Sequence, residues 1–163
     1  MPGWTPLPPA SRSTASPRKG LELLQVHWDE TAGVAFVSHP QGLILETAEE
    51  VERWSLEVFA KLGALETLRG GRFPIVVSLD GVTIRPQVAA QYGSVVRNYA
   101  ERFASGVARY SHRPNGVGQI IAVAAMKEGF RANLFTSRTD AVAHAVSTAA
   151  DQGGALSKPR SAR

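Results

Sequence analysis

Apolar and polar positions alternate along the first part of the chain in a pattern that predicts a pair of strands. Residues 21–28 show the two-residue period of a β-strand, and residues 34–38 form a second, more apolar run after a polar turn that ends in Gly33. The short turn predicts that these strands form a hairpin. A break containing proline and glycine follows, and residues 43–45 are predicted to continue the sheet beyond it.

Four helices are predicted by apolar residues that recur at spacings of three and four. The first opens at Thr47, because a hydroxyl followed three residues later by the carboxylate of Glu50 matches a capping box. Gly106 and Gly129 are the expected stops of the second and third helices. The predicted helices span residues 47–65, 86–104, 117–128 and, from Ser137 onward, the end of the folded region.

The segments between these helices predict the strands of a mostly parallel sheet. Residues 73–79 are rich in β-branched side chains and apolar on both faces, which is typical of a central strand covered on both sides. Residues 107–111 and 131–135 are predicted as two further strands. The resulting order, β-β-α-β-α-β-α-β-α, predicts a single α/β domain whose mixed, mostly parallel sheet has right-handed crossovers.

Length and composition exclude several classes of protein. The 163 residues and the 44% hydrophobic content fit one globular domain. Because the chain has no cysteine, disulfides, thiolate catalysis and cysteine-bound metal or iron–sulfur sites are excluded. No apolar run approaches the ~20 residues of a membrane-spanning helix, so we expect no membrane partner.

Both ends of the chain differ in composition from the middle. Residues 1–20 hold five prolines and predict a disordered Pro/Ser-rich leader, and residues 151–163 predict a flexible basic tail. Residues 21–150 remain as the folded domain. No secretory signal is recognised, so a cytoplasmic location is expected. Arginine outnumbers lysine 14 to 4, a composition typical of GC-rich bacterial genomes.

The net charge of +4 comes from the two ends rather than from the predicted domain. Residues 1–20 carry +3 and residues 151–163 carry +2. Within the domain, residues 21–84 carry a net −6 and residues 85–150 a net +5. A nucleic-acid surface needs a basic face with stacking aromatic side chains, so we expect no nucleic-acid partner. The split fits either two solvated surfaces or a homodimer in which opposite charges meet.

The third predicted helix carries more apolar side chains than one face of a short helix needs. Ile120, Ile121 and Val123 all fall within residues 117–126. A helix buried inside the monomer and a helix that contacts a second copy both fit this surplus.

Residues 77–84, VSLDGVTI, resemble the third strand and following turn of STAS-like (anti-sigma-factor-antagonist-like) domains. Residues 133–138, NLFTSR, resemble the last strand and helix start of some bacterial relatives. The resemblance covers roughly residues 21–150. In the family's regulatory members, the turn leads into an Asp-Ser-Ser/Thr-Gly run with a phosphorylated hydroxyl. The matching positions here are Arg85-Pro86-Gln87-Val88, so no phosphorylation switch of that kind is expected.

Polar residues follow the predicted parallel strands at their carboxyl ends, where open α/β sheets bind ligands. Arginines at such a site would recognise a phosphate or carboxylate group. The histidines lack ligand-like spacing, and no nucleophile elbow, Walker loop or Rossmann fingerprint is present. We therefore predict no catalytic residue, no cofactor and no metal. The candidate ligand-binding residues are Asp80, Thr83, Arg85, His112, Arg113, Asn115, Ser137 and Arg138.

Two functions from different classes are consistent with these patterns. The first is a non-enzymatic, STAS-like module that binds another protein in bacterial signalling or scaffolding. The alternative is a domain that binds a small anion or a nucleotide with the loops at the carboxyl ends of its strands.

Overall fold

The computed structural model describes residues 22–155, with side chains described for residues 22–154. The predicted leader, residues 1–20, and the last eight residues of the chain lie outside the described residues. The strands are β1 (Gln25–Asp29), β2 (Val34–Ser38), β3 (Leu43–Leu45), β4 (Phe73–Ser78), β5 (Val82–Ile84), β6 (Ala104–Tyr110) and β7 (Leu134–Phe135). The helices are α1 (Ala48–Arg69), α2 (Ala89–Phe103), α3 (Gly116–Glu128) and α4 (Arg138–Ala155), and a single 3₁₀ turn, Pro86–Val88, precedes α2.

Five strands form one mixed sheet in the spatial order β1-β2-β4-β6-β7. β1 and β2 pair antiparallel as the predicted hairpin, whereas β2, β4, β6 and β7 run parallel. The prediction of one α/β domain with a mixed, mostly parallel sheet is confirmed. β3 does not continue this sheet, because it pairs with β5 in a separate two-stranded parallel sheet. The sequence analysis did not predict β5, because a three-residue strand is too short to show the alternation of apolar and polar residues.

Side chains that alternate along the parallel strands divide the core into two layers. Ile75 and Val77 of β4 lie in the larger layer, together with buried side chains of α1, α2 and α3. Val76 points to the other face and packs with Phe36 and Ala108 against α4. One face of the sheet is therefore covered by three helices and the other by α4.

The parallel strands follow one another across the sheet without a reversal of order. A reversal would place successive helices on opposite faces and open the crevice in which doubly wound sheets bind ligands. Here α1, α2 and α3 contribute to the same core layer. The carboxyl edge of the described sheet is therefore bounded by loops, without a crevice of that kind.

Two predicted helix ends follow directly from local chemistry. Thr47 Oγ1 accepts the amide of Glu50 at 3.2 Å, and the Glu50 carboxylate accepts the amide of Thr47 at 3.1 Å, which completes the predicted capping box. Asn115 caps the start of α3, and α3 stops at Gly129, where the φ of 74° favours glycine. α1 continues to Arg69, beyond its predicted end at residue 65.

The first strand begins later than the alternation of residues 21–28 predicts. β1 starts at Gln25, because the amides of Leu23 and Leu24 donate to the Glu57 carboxylate of α1 at 3.0 and 3.3 Å. Lys61 then donates to the carbonyl of Leu24 at 2.6 Å. Side chains of α1 thus take the place of a neighbouring strand as hydrogen-bond partners here.

The predicted second helix is divided and shortened. Pro86 opens the 3₁₀ turn rather than α2 itself, and α2 ends at Phe103. Gly106, its predicted stop, instead lies inside β6. At the other end of the domain, α4 continues to Ala155, five residues beyond the predicted domain boundary. No helix among residues 22–155 is long and apolar enough to span a membrane.

One charged side chain of β6 lies inside the core. Arg109 is fully buried, and its Nη1 donates to the carbonyl of Ala132 at 2.8 Å. Its guanidinium carbon lies 6.0 Å from the centroid of the Phe130 ring, and its Nε and Nη2 atoms have no acceptor among the described residues. Burial of a cation without a carboxylate partner is unfavourable, and the carbonyl of Ala132 is the hydrogen-bond acceptor that the described residues offer it.

Candidate functional site

Five of the eight predicted site residues line one cleft of about 570 Å³ at the carboxyl ends of β4 and β6. These two strands are neighbours in the sheet and run parallel, so the loops that follow them meet at the same edge. The opposite wall comes from the loop before β3, with Gln41 and Gly42. The predicted residues in this polar cleft are Asp80, Thr83, His112, Arg113 and Asn115.

Asp80 organises the loop that follows β6. Its Oδ2 lies 2.7 Å from Nδ1 of His112, and its Oδ1 accepts the hydroxyl of Ser111 at 2.9 Å and the amide of His112 at 3.2 Å. Desolvation acts to raise the pKa of Asp80, but the hydrogen bonds from the His112 ring, the Ser111 hydroxyl and the His112 amide outweigh it and lower this pKa. Asp80 is therefore an ionised acceptor near neutral pH.

Asn115 ties the same loop to α3. Its Nδ2 donates to the carbonyl of Leu79 at 2.9 Å and to Ser111 Oγ at 3.3 Å, while its Oδ1 accepts the amide of Gly118 at 3.2 Å. These bonds use the amide group of Asn115 for capping and for loop support. Its predicted place at the strand end is right, but its hydrogen bonds give it a structural role.

Ser111 is the residue of this loop that the sequence analysis missed. It follows β6 directly, so its hydroxyl at a strand end was the available signal. The Ser111 hydroxyl lies within hydrogen-bond distance of Asp80 Oδ1 and of the Arg113 carbonyl. Because this hydroxyl faces Asp80, Ser111 and His112 do not form a nucleophile–base pair in this geometry.

Two side chains of the polar cleft remain free to meet a ligand. With Nδ1 of His112 committed to Asp80, Nε2 is the ring atom that can reach one, and 64% of the side chain is exposed. Arg113 is exposed and forms no ion pair with any described residue. The arrangement thus offers one guanidinium and one oriented imidazole.

The other three predicted site residues lie elsewhere. Arg85 Nε lies 2.9 Å from Oε1 of Glu46, a residue that precedes α1 in the chain. Ser137 caps α4, because its Oγ accepts the amide of Asp140 at 3.1 Å. Arg138 is on the face covered by α4, with its guanidinium carbon 3.9 Å from the centroid of the Phe36 ring. These three residues are not brought to the polar cleft.

Ion pairs within the chain join the acidic and basic halves that the sequence analysis separated. Arg85 binds Glu46, Arg102 binds Glu66 at 2.6 Å, and Arg138 lies 3.7 Å from Asp29. Each pair links a residue of the net negative stretch 21–84 to one of the net positive stretch 85–150. The charge split is therefore partly neutralised inside one molecule, which removes much of the electrostatic argument for a homodimer.

A second, apolar depression of about 320 Å³ lies between α2 and α3. We call it the α2–α3 groove; its apolar lining includes Ala89, Ala90, Ile120, Val123 and Ala124, and Lys127 and Glu128 lie at its end. Val123 is 49% exposed. The apolar surplus predicted for the third helix is thus divided, with Ile121 fully buried and Val123 open to solvent.

The described residues contain no cluster of side chains suited to binding a metal ion. Within residues 22–155, no three histidine, aspartate or glutamate side chains are grouped so that they could hold a metal ion. His39 is buried beside Trp54, and His112 is paired with Asp80.

We expect Asp80→Asn to destabilise the fold by about 1–2 kcal/mol, because it removes a charged acceptor of three hydrogen bonds. Urea denaturation at neutral pH measures this loss. The control is Asp151→Asn, an exposed carboxylate of α4, which should change stability by less than about 0.5 kcal/mol. Equal stabilities for the two variants would show that Asp80 does not hold the loop.

The described residues thus present two surfaces of different chemistry, the polar cleft and the α2–α3 groove. No protein-family model, no curated protein and no solved structure matches this chain, so its function has to be inferred from these two surfaces.

Proposed function

We propose that this protein is a non-enzymatic, STAS-like module of bacterial signalling or scaffolding that binds another protein through the α2–α3 groove. The observation that carries the proposal is the exposed apolar side chain of Val123 beside a groove lined by alanines and Ile120. Apolar side chains at such a position gain about 25 cal/mol for each Å² that a partner removes from water.

The order of elements supports the STAS-like part of the proposal. An antiparallel hairpin opens the domain, and helices alternate with parallel strands after it. The segment that resembles the family, residues 77–84, spans the end of β4, the turn at Gly81 and all of β5. Fold order is an analogy and assigns no activity by itself.

The turn after β5 supports a module without a phosphorylation switch. Arg85, Pro86 and Gln87 stand where regulatory STAS-like proteins have their phosphorylated hydroxyl, and none of them carries a hydroxyl group. Arg85 is held by Glu46, and Gln87 donates to the carbonyl of Glu46 at 3.1 Å. These contacts give the residues of this turn a structural role between β3 and α1.

The size and lining of the α2–α3 groove favour a protein partner. Pockets for small molecules usually span about 300–1,000 Å³, and 320 Å³ is at the bottom of that range. A groove between two helices is a common seat for an amphipathic helix that inserts one or two apolar side chains. Lys127, which forms no ion pair with a described residue, adds a cation at one end.

The partner that fits this chemistry is an amphipathic segment with a large apolar side chain and a carboxylate that meets Lys127. A second copy of the chain fits less well. The acidic residue of the groove, Glu128, already accepts Ser94 at 2.9 Å and lies 3.8 Å from Arg97. A copy would therefore bring no free carboxylate from the same face, so we propose a different protein as partner.

The test compares Val123→Glu with Leu56→Glu, which changes a leucine of α1 that is 68% exposed and lies outside both surfaces. Full-length chains are cross-linked in the native host, and the partners are quantified by mass spectrometry. We expect a stoichiometric partner whose cross-links map to α3 and whose recovery falls at least tenfold with Val123→Glu but not with Leu56→Glu, because a carboxylate at position 123 must be desolvated on docking and competes for Lys127 with the carboxylate of the partner.

Three results would contradict this proposal. One is a partner that Val123→Glu still recovers in full. Another is a homodimer in analytical ultracentrifugation that depends on Val123, which would make a second copy the occupant. The last is the absence of any stoichiometric partner at native expression, with circular dichroism confirming that both variants are folded.

A further inference from the structure

We infer that the polar cleft is a second, independent binding site that takes an oxyanion, the phosphate or carboxylate group of a small metabolite. Arg113 and His112 are its binding groups. The cleft lies at the carboxyl edge of the sheet and shares no lining residue with the α2–α3 groove. Loss of one site therefore leaves the other in place.

The charge of the cleft is set by three side chains. The Arg113 guanidinium has no ion-pair partner among the described residues, so its charge is available to a ligand. The Asp80 carboxylate is the opposing charge in the cleft, but its oxygens accept hydrogen bonds from Ser111 and His112. A carboxylate engaged in this way orients the imidazole and presents little of its own acceptor capacity to an incoming anion.

The position of His112 gives the site its geometry. Asp80 fixes Nδ1 at 2.7 Å, and the ring lies edge-on to Tyr110 with centroids 5.3 Å apart. The ring therefore has a defined orientation even though it is exposed, and Nε2 is the atom left for a ligand. In the imidazolium form both ring nitrogens donate, one to Asp80 and one to the oxyanion.

The start of α3 is not the source of anion binding in this inference. The amide of Gly118 is already accepted by Asn115 Oδ1 at 3.2 Å. The recognition rests on side chains, and Thr83 and Gln41 also line the cleft. A volume of about 570 Å³ leaves room for the organic part of a small metabolite beside the charged group.

The experiment titrates the full-length chain with methyl phosphate and, in a separate arm, with acetate, and follows backbone amide shifts by NMR. We expect saturable shifts of residues 80–83 and 111–115 with a dissociation constant in the range of about 1 mM, which is common for an isolated anionic fragment. The arm with the tighter binding identifies which oxyanion the site prefers. Shifts that are uniform and non-saturating in both arms would overturn the inference.

Variants decide whether the named side chains are responsible. Arg113→Gln should weaken binding at least tenfold, and His112→Gln should weaken it several-fold under conditions in which the ring is protonated, because each then removes one donor to the oxyanion. Arg131→Gln is the matched control, since Arg131 is also exposed and without an ion pair to a described residue but lies beyond the opposite end of α3. Affinity that survives Arg113→Gln, or falls equally with Arg131→Gln, would overturn the assignment while leaving the partner test at Val123 unaffected.

Discussion

Gly106→Ala should destabilise the protein by about 3 kcal/mol, since it forces a methyl group into backbone that has no room for it. A Cβ atom built on Gly106 would lie 2.2 Å from the carbonyl oxygen of Ala145 and 3.0 Å from the amide nitrogen of Ala149. Both atoms belong to the backbone of α4 and cannot turn aside as a flexible side chain would. α4 would therefore have to move away from β6, and the smaller core layer around Val76 would lose its packing.

The control for this prediction is Gly63→Ala, in the interior of α1. The nearest heavy atom to a Cβ at Gly63 is Phe103 Cε1, at 4.0 Å, so the methyl group finds ordinary space. Alanine favours a helix over glycine by about 0.5–1 kcal/mol, and this variant should be slightly more stable than the wild type. Urea denaturation gives both values. A Gly106→Ala protein as stable as the wild type would show that α4 does not pack on β6 at this distance.

Stability should fall as the pH is lowered from about 6.5 to about 4, because folding buries His39. This side chain is 8% exposed and lies beside Trp54, with ring centroids 6.1 Å apart. Desolvation lowers the pKa of His39 from 6.5 to about 4, against a smaller opposing effect of its hydrogen bond to the carbonyl of Ser78 at 3.1 Å. Its Nε2 has no partner among the described residues.

The sign of the effect follows from proton linkage. Between pH 6.5 and 4 the unfolded chain binds a proton at His39 that the folded chain does not, so protonation favours the unfolded state. The part of the unfolding free energy that is linked to His39 is fully present above pH 6.5. It is lost as the pH falls towards 4, by up to about 3 kcal/mol. Glu50, Glu57 and Asp80 have lowered carboxyl pKa values, so their contributions begin to be lost as the pH falls through the ordinary carboxyl range, which overlaps only the acid end of this window.

Replacing His39 tests whether this side chain causes the acid sensitivity. The informative quantity is the slope of stability against pH rather than the stability at any one pH. His39→Gln should lower stability at pH 7, since it disturbs packing beside Trp54, but it should flatten the dependence between pH 6.5 and 4.5. An unchanged slope in His39→Gln would assign the acid sensitivity to another group.

The candidate site shows how far strand ends can be predicted without a structure. Asp80 and His112 follow neighbouring parallel strands, so topology alone places them at one edge, and they lie in direct contact. Arg138 also follows a parallel strand, but it sits in the first turn of α4 and lies over Phe36. Position in a loop therefore predicts the edge at which a residue lies, whereas the direction of the next helix decides which face its side chain reaches.

Local interactions explain the parts of the fold that the sequence determined by itself. The capping box of Thr47 and Glu50 and the stop at Gly129 both join groups within four residues of one another. The period of the apolar residues likewise predicted four helices and the central strand β4. These features depend on the backbone geometry of a short segment, so they can be predicted without knowledge of residues that are distant in the chain.

Only the tertiary structure decided the features that join distant parts of the chain. β3 leaves the main sheet because Leu43 pairs with Val82, and Gly106 belongs to a strand because the backbone of α4 passes directly over it. Ser111 is tied to the end of β4 because Asp80, which follows that strand, accepts its hydroxyl. In each case the deciding partner comes from an element far away in the chain, and packing against that partner overrides the local preference of a three-residue segment or a single glycine.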